Sequence, residues 1–173
     1  MRFGAMLGVA GLLAGAAGPA AADVQADCAR TVLAYADAWD HKQAAAFGAL
    51  FTDDATLDIG TGPVKGRAAI DAMFAKSNAG PTMRHLMTNV LITPTGGSGA
   101  RGQSYLQLFA GPPSAGGAPV EVSGFTLVGE YQDVFRIDGS GCRIAERRLV
   151  PVFRRARPPG PSPAAAAPLP PRP

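Results

Sequence analysis

Residues 125–153, FTLVGEYQDVFRIDGSGCRIAERRLVPVF, contain two runs in which apolar and polar residues alternate, separated by the turn-forming residues DGSG. Alternation with a period of two is typical of strands with one buried face, and such a separator is typical of a hairpin. In the first run the residues that share one face are Phe125, Leu127, Gly129, Tyr131, Asp133 and Phe135. This face mixes apolar with polar side chains, which is typical of the wall of a ligand cavity.

Two further strands are predicted upstream, in MRHLMTNVLITP (83–94) and GARGQSYLQLFAG (99–111). They are bounded by the turn and loop sequences TGGSG and PPSAGGAP, which are rich in residues that favour turns. In the first strand, alternation places five residues on one face: Met83, His85, Met87, Asn89 and Leu91. This face too combines apolar residues with polar ones, so it is a second candidate cavity wall.

The N-terminal half predicts three helices. Apolar residues recur at helical spacing over 24–39, and again over shorter stretches at 44–51 and 67–78. Between the last two, TDDATLDIGTGPVKG (52–66) alternates and then turns, as a strand does. Three helices followed by a multistranded antiparallel sheet define an α+β fold without βαβ units, which disfavours a parallel nucleotide-binding sheet. The sequence also lacks a Gly-rich phosphate loop, a GxSxG elbow and an HExxH motif.

The two ends differ in composition from the middle. Residues 1–22 combine an early Arg2, an apolar run and a final Ala-rich stretch, which predicts a secretory signal peptide. Residues 154–173 hold half of the 16 prolines and are predicted to be a disordered tail. A single domain is therefore expected over 23–153. The protein is expected to be exported, periplasmic or secreted, with no membrane segment after signal removal.

The positive charge belongs to the ends rather than to the predicted domain. The whole chain has a net charge of +3, but five of its 16 basic residues lie outside 23–153. The domain keeps 11 basic and 13 acidic residues, a net charge of −2. Since there is no basic face with interleaved aromatic residues, nucleic acid is not an expected partner.

Cys28 and Cys142 are the two cysteines of the chain. Export would expose them to oxidising conditions, in which a disulfide can form. The alternative is two separate, half-buried thiols. Two distant cysteines and two distant histidines do not have the spacing of a zinc site, so no metal is expected.

Four segments carry a resemblance to a known family: YADAWD, FTDDATLDIGTGPVKGRAAI, MRHLMTNVLI and GEYQDVFRIDGSGCRIAERRLV. Together they resemble the SnoaL-like branch of the nuclear-transport-factor-2-like superfamily, over about residues 26–150. The resemblance implies a conical half-barrel, in which a curved antiparallel sheet wraps around about three N-terminal helices. It also implies a homodimer. Among the relatives are scytalone dehydratase and bile acid 7α-dehydratase.

Tyr35, Asp40 and His85 are similar in type, order and spacing to residues of the bile acid dehydratase pattern. The resemblance implies that Tyr35 and Asp40 line a cavity that His85 closes from the sheet side. A histidine held by a carboxylate can act as a general base, and a phenol can stabilise a developing oxyanion. Such chemistry requires no cofactor. The second histidine of scytalone dehydratase and the Asp and Arg set of the superfamily's epoxide hydrolases have no counterpart here.

Each of these residues also has a structural interpretation. His85 could be a satisfied strand residue, Asp40 the N-cap of the following helix, and Tyr35 a core residue with a polar tip. Further candidates for contact with a substrate are Trp39, Met87, Asn89 and Tyr131. Asp133, on the same strand face as Tyr131, is expected to pair with Arg147.

Three functions therefore remain open. The first is a lyase or isomerase, dehydratase-like, that acts on a small apolar oxygenated molecule such as a steroid, terpenoid or polyketide. The second is a non-catalytic protein that binds a small apolar ligand in the same cone. The third is a structural domain whose open sheet face forms a dimer. An open cavity beside an Asp40–His85 contact would favour the first two over the third.

Overall fold

A computed structural model of the protein describes residues 21–156, which form three helices and one six-stranded sheet. The helices are α1 (Ala21–Asp40), α2 (Ala44–Ala49) and α3 (Arg67–Ser77). The strands are β1 (Phe51–Asp58), β2 (Val64–Lys65), β3 (Thr82–Gly96), β4 (Gly99–Gly111), β5 (Leu127–Asp138) and β6 (Gly141–Arg154). The predicted α+β class is confirmed. Most of the predicted signal peptide and tail, residues 1–20 and 157–173, lie outside the described residues.

Helix α1 lies against the concave side of the sheet. Its buried side chains follow the predicted helical spacing, at Val24, Cys28, Val32, Tyr35 and Trp39. Burying a large apolar side chain contributes about 1.5–3 kcal/mol, so this stripe anchors the helix. The chain leaves α1 through Lys42, whose φ of 58° is left-handed, and the Gln43 N–H donates to the Ala38 carbonyl at 2.8 Å.

The sheet has the strand order β2-β1-β6-β5-β4-β3. Four of its neighbouring pairs are antiparallel, as predicted, but β1 and β6 run parallel, so the sheet is mixed. The expectation of a wholly antiparallel sheet is corrected in this one pair. The reason is that β1 inserts between β2 and the final strand: Phe51 starts β1 opposite Ile144, whose N–H donates to the Leu50 carbonyl at 2.8 Å.

Irregularities in the strand pairing alter which side chains face inward. In β3 the register shifts between Thr88 and Leu91, and Asn89 has a left-handed φ of 50°. A β-bulge of this kind bends the strand and reverses the alternation beyond it. As a result Leu91 is 65% exposed, whereas Val90 and Ile92 pack against the core. The predicted alternating face therefore holds to Met87 and fails beyond it.

A disulfide joins Cys28 of α1 to Cys142 of β6. Both residues are buried, and the nearby Thr31 hydroxyl donates to the Cys142 carbonyl at 2.8 Å. The two residues are 114 positions apart, so the bond closes nearly the whole domain into one loop. It holds the first helix onto the start of the last strand.

Replacing both cysteines by alanine is expected to lower the free energy of unfolding by about 2–4 kcal/mol, because the unfolded chain regains the entropy that the closed loop removes. Urea unfolding in oxidising buffer measures this difference. Wild type unfolded in the presence of a reductant should approach the stability of the double variant. Equal stability of the two proteins in oxidising buffer would contradict the expectation.

Candidate active site

A cavity of about 490 Å³ lies between the helices and the concave side of the sheet. Its volume is in the range of small-molecule sites. The buried end is lined by Tyr35, Trp39, His85 and Tyr131, and the sheet wall by Met83, Leu106, Leu108, Leu127 and Leu149, with Thr126 beside it. At the exposed end lie Ile59, Gly60, Thr61, Ser77, Arg154 and Arg155. The cavity is thus an apolar chamber with a few polar groups.

His85 and Asp40 form a close pair at the buried end. The last residue of α1, Asp40, places its Oδ1 2.6 Å from His85 Nδ1 and accepts the His85 backbone N–H on Oδ2 at 2.9 Å. The side chain of His85 is 4% exposed and that of Asp40 is 8% exposed. With both carboxylate oxygens engaged by one residue, the imidazole has a fixed orientation. The pairing assigns the Nδ1 proton to the side of Asp40, which leaves Nε2 as the acceptor.

Asp40 takes a different place from the one expected. It does not line the cavity but contacts His85 from behind, and it borders a separate cleft with Lys42 and Arg84. It does not cap α2 either, since Gln43 holds the N-cap position of that helix. Asp40 is therefore placed to position the histidine, and His85 is the member of the pair that a ligand could reach.

Two buried hydrogen-bond donors lie beside His85. Tyr35 and Trp39 both line the cavity, with ring centroids 6.4 Å and 5.7 Å from that of His85. Within residues 21–156, the Tyr35 hydroxyl and the Trp39 Nε1 are buried without a hydrogen-bond partner. Buried polar groups are normally satisfied. Both atoms are covered by their surroundings, so an oxygen-bearing ligand could satisfy them only after neighbouring side chains shift.

A buried ion pair supports the two tyrosines. Asp133 of β5 accepts two hydrogen bonds from Arg147 of β6, at 2.8 Å and 2.7 Å, and both side chains are fully buried. The expected Asp133–Arg147 pair is therefore present. The Arg147 guanidinium carbon lies 4.2 Å from the Tyr35 ring centroid and 4.5 Å from that of Tyr131. These cation–π contacts hold both rings at the cavity wall.

Burial sets the protonation of this group of residues. Removal from water, together with the neighbouring Tyr131, raises the pKa of Tyr35 well above its ordinary value, and burial also raises the pKa of Tyr131. Burial lowers the pKa of Arg147, but the Asp133 carboxylate and the two tyrosines together raise it above its ordinary value. Both phenols therefore remain hydrogen-bond donors at neutral pH, and Arg147 remains a cation.

A pH dependence of stability follows from the raised pKa of the tyrosines. The folded state keeps these protons while the unfolded state loses them near pH 10, so stability present below pH 10 is lost as the pH rises above it. Tyr35→Phe should reduce this loss of stability between pH 8 and pH 11, which urea unfolding measures. The remaining Tyr131 should still cause part of the loss. Tyr105→Phe, which removes an exposed phenol, is the control. An unchanged slope in Tyr35→Phe would contradict the expectation.

Two of the predicted contact residues lie elsewhere. Met87 packs against the core from β3 without lining the cavity, and Asn89 is exposed at the bulge. The Asn89 expectation depended on regular alternation along β3, which its left-handed backbone interrupts, whereas Met87 keeps the predicted face but lies outside the cavity. Trp39 and Tyr131 do line the cavity.

Arg154 and Arg155 line the cavity although the sequence placed them in the tail. Strand β6 extends to Arg154, one residue past the predicted end of the domain. Proline-rich sequence follows, and its composition obscured the boundary. The apolar run LVPVF just before Arg154 was the feature of the sequence that could have indicated that the strand continues to this residue.

A metal centre would need clustered ligands, and residues 21–156 do not provide them. No three His, Cys, Asp or Glu side chains in this range lie together in a way that could hold a metal ion. None of the helices in the same range combines the length and the hydropathy that crossing a membrane requires.

An apolar chamber with a His–Asp pair at its buried end, enclosed by helices and a curved sheet, defines a protein of the α+β cone type with a cavity of the size that small molecules occupy. The chain belongs to the SnoaL-like domain family, whose model matches residues 20–148. The resemblance seen in the sequence is thereby confirmed. No curated protein matches the chain.

Solved structures share the fold at low sequence identity. A candidate dehydratase of the NTF2-like family from Streptomyces avermitilis is 16% identical with a TM-score of 0.67, over 76% of this chain and 98% of that one. A candidate scytalone dehydratase from Novosphingobium aromaticivorans is 17% identical with a TM-score of 0.64, over 76% and 88%. A candidate aromatic ring hydroxylase from the same organism is 22% identical with a TM-score of 0.66, over 78% and 93%. At these identities the likeness establishes the fold alone.

Proposed function

We propose that the protein is a cofactor-independent lyase or isomerase, dehydratase-like, that acts on a small apolar oxygenated molecule such as a steroid, terpenoid or polyketide. The observation that carries the proposal is the 2.6 Å contact between Asp40 Oδ1 and His85 Nδ1 at the buried end of an open cavity. Two of the similar structures are candidate dehydratases, which supports the same class of reaction.

His85 is the proposed general base. Asp40 holds the Nδ1 proton and stabilises the imidazolium that forms when Nε2 accepts a second proton. The proton comes from a carbon next to a carbonyl, and its electron pair forms an enolate. In a dehydration the enolate then expels a hydroxyl group from the β-carbon, which leaves as water with the proton from His85. In an isomerisation the same proton returns to a different carbon.

Tyr35 and Trp39 are the proposed donors to the substrate oxygen. Their O–H and N–H groups have no partner of regular hydrogen-bond geometry within the described residues, and the Tyr35 hydroxyl lies close to that of Tyr131. A shift of the side chains that cover them would bring these donors to a carbonyl oxygen that becomes negative, where fixed donors stabilise an oxyanion. The raised pKa of Tyr35 supports this role, because the phenol stays protonated when the negative charge develops nearby.

Hydrogen–deuterium exchange tests the proposal with simple ketones in place of the natural substrate. The full chain is incubated in D₂O with a panel of three, namely a 3-ketosteroid, a monocyclic terpenoid ketone and a bicyclic aromatic ketone. Loss of the α-proton signal is followed by NMR. We expect at least one ketone to exchange about a hundredfold faster than with an equal concentration of free imidazole. Exchange at the free-imidazole rate for every ketone that binds would contradict the proposal.

Binding without exchange would instead assign the protein to the non-catalytic class of ligand-binding proteins. Trp39 reports binding, because it is the single tryptophan of the chain and lines the cavity. Quenching of its fluorescence therefore separates a ketone that does not enter the cavity from one that enters and does not react.

We further propose that the protein works outside the cytoplasm, in the periplasm or as a secreted protein. The disulfide between Cys28 and Cys142 supports this location, because such bonds persist in oxidising compartments. Fractionation of a Gram-negative host that expresses the full chain should recover an oxidised protein shortened by about 22 residues. Sedimentation of the purified protein tests the homodimer, which remains a prediction.

A further inference from the structure

We infer that the exposed end of the cavity binds a carboxylate, so that the ligand is an organic acid with an apolar body. The proposed carboxylate partners are Arg154 and Arg155, and the apolar body would extend toward His85. The inference rests on the proposed function, because it specifies the substrate class of the same cavity.

A bulge near the end of β6 turns Arg154 toward the cavity. Between Arg147 and Pro151 the inward residues of β6 are the odd-numbered ones, such as Leu149, which is paired with the buried Tyr131. The register then shifts, so that Phe153 pairs with Val128 and Arg154 pairs with Leu127.

Since Leu127 lines the cavity, its partner Arg154 lies on the same face. Phe153 becomes 60% exposed instead. Without the bulge, an apolar residue would occupy the position of the arginine.

Both arginines lie beside backbone at the exposed end, and Arg155 is bonded to it. A β-carbon built on Gly60 would lie 3.5 Å from Arg154 Nη2, so this guanidinium reaches across to the turn that follows β1. Arg155 donates from Nη2 to the Gly124 carbonyl at 2.5 Å and from Nε to the Phe125 carbonyl at 3.2 Å. These bonds keep its guanidinium beside the loop that precedes β5.

The two positive charges lack an acidic partner among residues 21–156. Neither Arg154 nor Arg155 has a carboxylate within ion-pair distance, whereas Arg136, Arg143 and Arg147 each do. None of the residues that line the cavity is acidic. Asp58, at the start of the adjoining turn, accepts hydrogen bonds from the backbone of Gly60 and Gly62. A carboxylate on the ligand would therefore supply the missing negative charge.

The chemistry of this end fits an acid better than a neutral polar group. A guanidinium presents several donors in one plane and binds a carboxylate through two parallel hydrogen bonds. Behind it the sheet side of the cavity presents four leucines and Met83, which favour an apolar body. An amphipathic acid would match both ends, and its charge would select the orientation in which the body faces His85.

Matched acids and alcohols test the inference through Trp39 fluorescence. The probes are adamantane-1-acetate and decanoate, each compared with the alcohol of the same carbon skeleton, and all four are transparent to the light used. We expect the wild-type full chain to bind at least one acid about tenfold more tightly than its alcohol. Arg154→Gln should remove most of this preference, and Arg154→Lys should restore part of it. Circular dichroism checks that the variants remain folded.

Arg148→Gln is the matched control, because it removes the same charge from an exposed residue on the opposite face of β6. It should keep the preference of wild type for the acid. The inference is overturned if no acid binds more tightly than its alcohol, or if Arg148→Gln weakens acid binding as much as Arg154→Gln does. If Arg154→Gln fails to fold, the preference for the acid is compared between Arg155→Gln and Arg148→Gln instead. The inference is then overturned if the two variants keep the same preference.

The outcome is separable from that of the proposed function. A preference for the acid that depends on Arg154, without deuterium exchange of any ketone, upholds the carboxylate site and removes the catalytic role of His85. Exchange of neutral ketones without any preference for acids upholds the catalytic proposal and removes the carboxylate site.

Discussion

Substitution of His85 by glutamine is expected to lower the rate of ketone exchange by about a hundredfold to ten-thousandfold, the usual contribution of a positioned general base. Glutamine has a similar size and can still hydrogen-bond to Asp40, but its amide cannot accept the proton from carbon. The fold should survive, so fluorescence quenching of Trp39 by the same ketone should continue. The measurement is the α-proton exchange rate by NMR for wild type and variant.

The chain contains a matched control for this substitution. His41, its other histidine, lies exposed in the turn after α1 and contacts Asp37 at 3.0 Å. His41→Gln should leave the exchange rate unchanged. Asp40→Asn should lower the rate, because the imidazolium loses its stabilising charge, whereas Asp37→Asn should not. Equal rates for His85→Gln and His41→Gln would remove His85 from the mechanism.

Replacement of Asp133 by asparagine is expected to lower the free energy of unfolding by about 3–5 kcal/mol, since a buried guanidinium then loses its counter-charge. The Arg147 side chain has no exposed surface, so water cannot replace the lost counter-charge. It also lies against the rings of both Tyr35 and Tyr131, so its displacement would disturb the cavity wall. Urea unfolding measures the stability change, and Trp39 fluorescence reports the change in the cavity.

Asp54→Asn is the control for the buried pair. Asp54 also accepts two hydrogen bonds from one arginine, Arg136, both at 2.7 Å, but the pair is exposed and should contribute little. A double variant, Asp133→Leu with Arg147→Met, should regain most of the stability that Asp133→Asn loses, because it leaves no unpaired buried charge. A loss in Asp133→Asn no larger than in Asp54→Asn would contradict the expectation.

Local patterns were sufficient for much of the fold. The spacing of Val24, Val32, Tyr35 and Trp39 predicted the buried face of α1, and the alternation from Leu127 to Phe135 predicted the inward face of β5. Both patterns depend on a regular backbone, in which each side chain's direction follows from its position. The Asp133–Arg147 pair was predicted from charge complementarity, and it forms because a register shift beyond Phe135 brings Arg147 opposite Asp133, where an unshifted hairpin would place Glu146.

The site was predictable in residue type and less so in arrangement. The resemblance identified Tyr35, Asp40 and His85, but the expected place of Asp40 in the cavity wall was wrong. Its carboxylate lies behind the imidazole because α1 ends there and both its oxygens bind His85. Asn89 was misplaced because a bulge reverses the alternation along β3, and a bulge depends on pairing with a neighbouring strand. Arg154 was assigned to the tail because the proline-rich sequence that follows it obscured the end of β6.

The sequence by itself determined the class of fold, the buried helix face and the set of polar residues able to do chemistry, since periodicity and residue type are local properties. Tertiary structure alone decided that β1 lies parallel to β6, that Cys28 meets Cys142, and that Arg154 faces the same cavity as His85. Those features depend on register and closure between segments up to 114 residues apart. A local pattern contains no information about which distant segment becomes its neighbour.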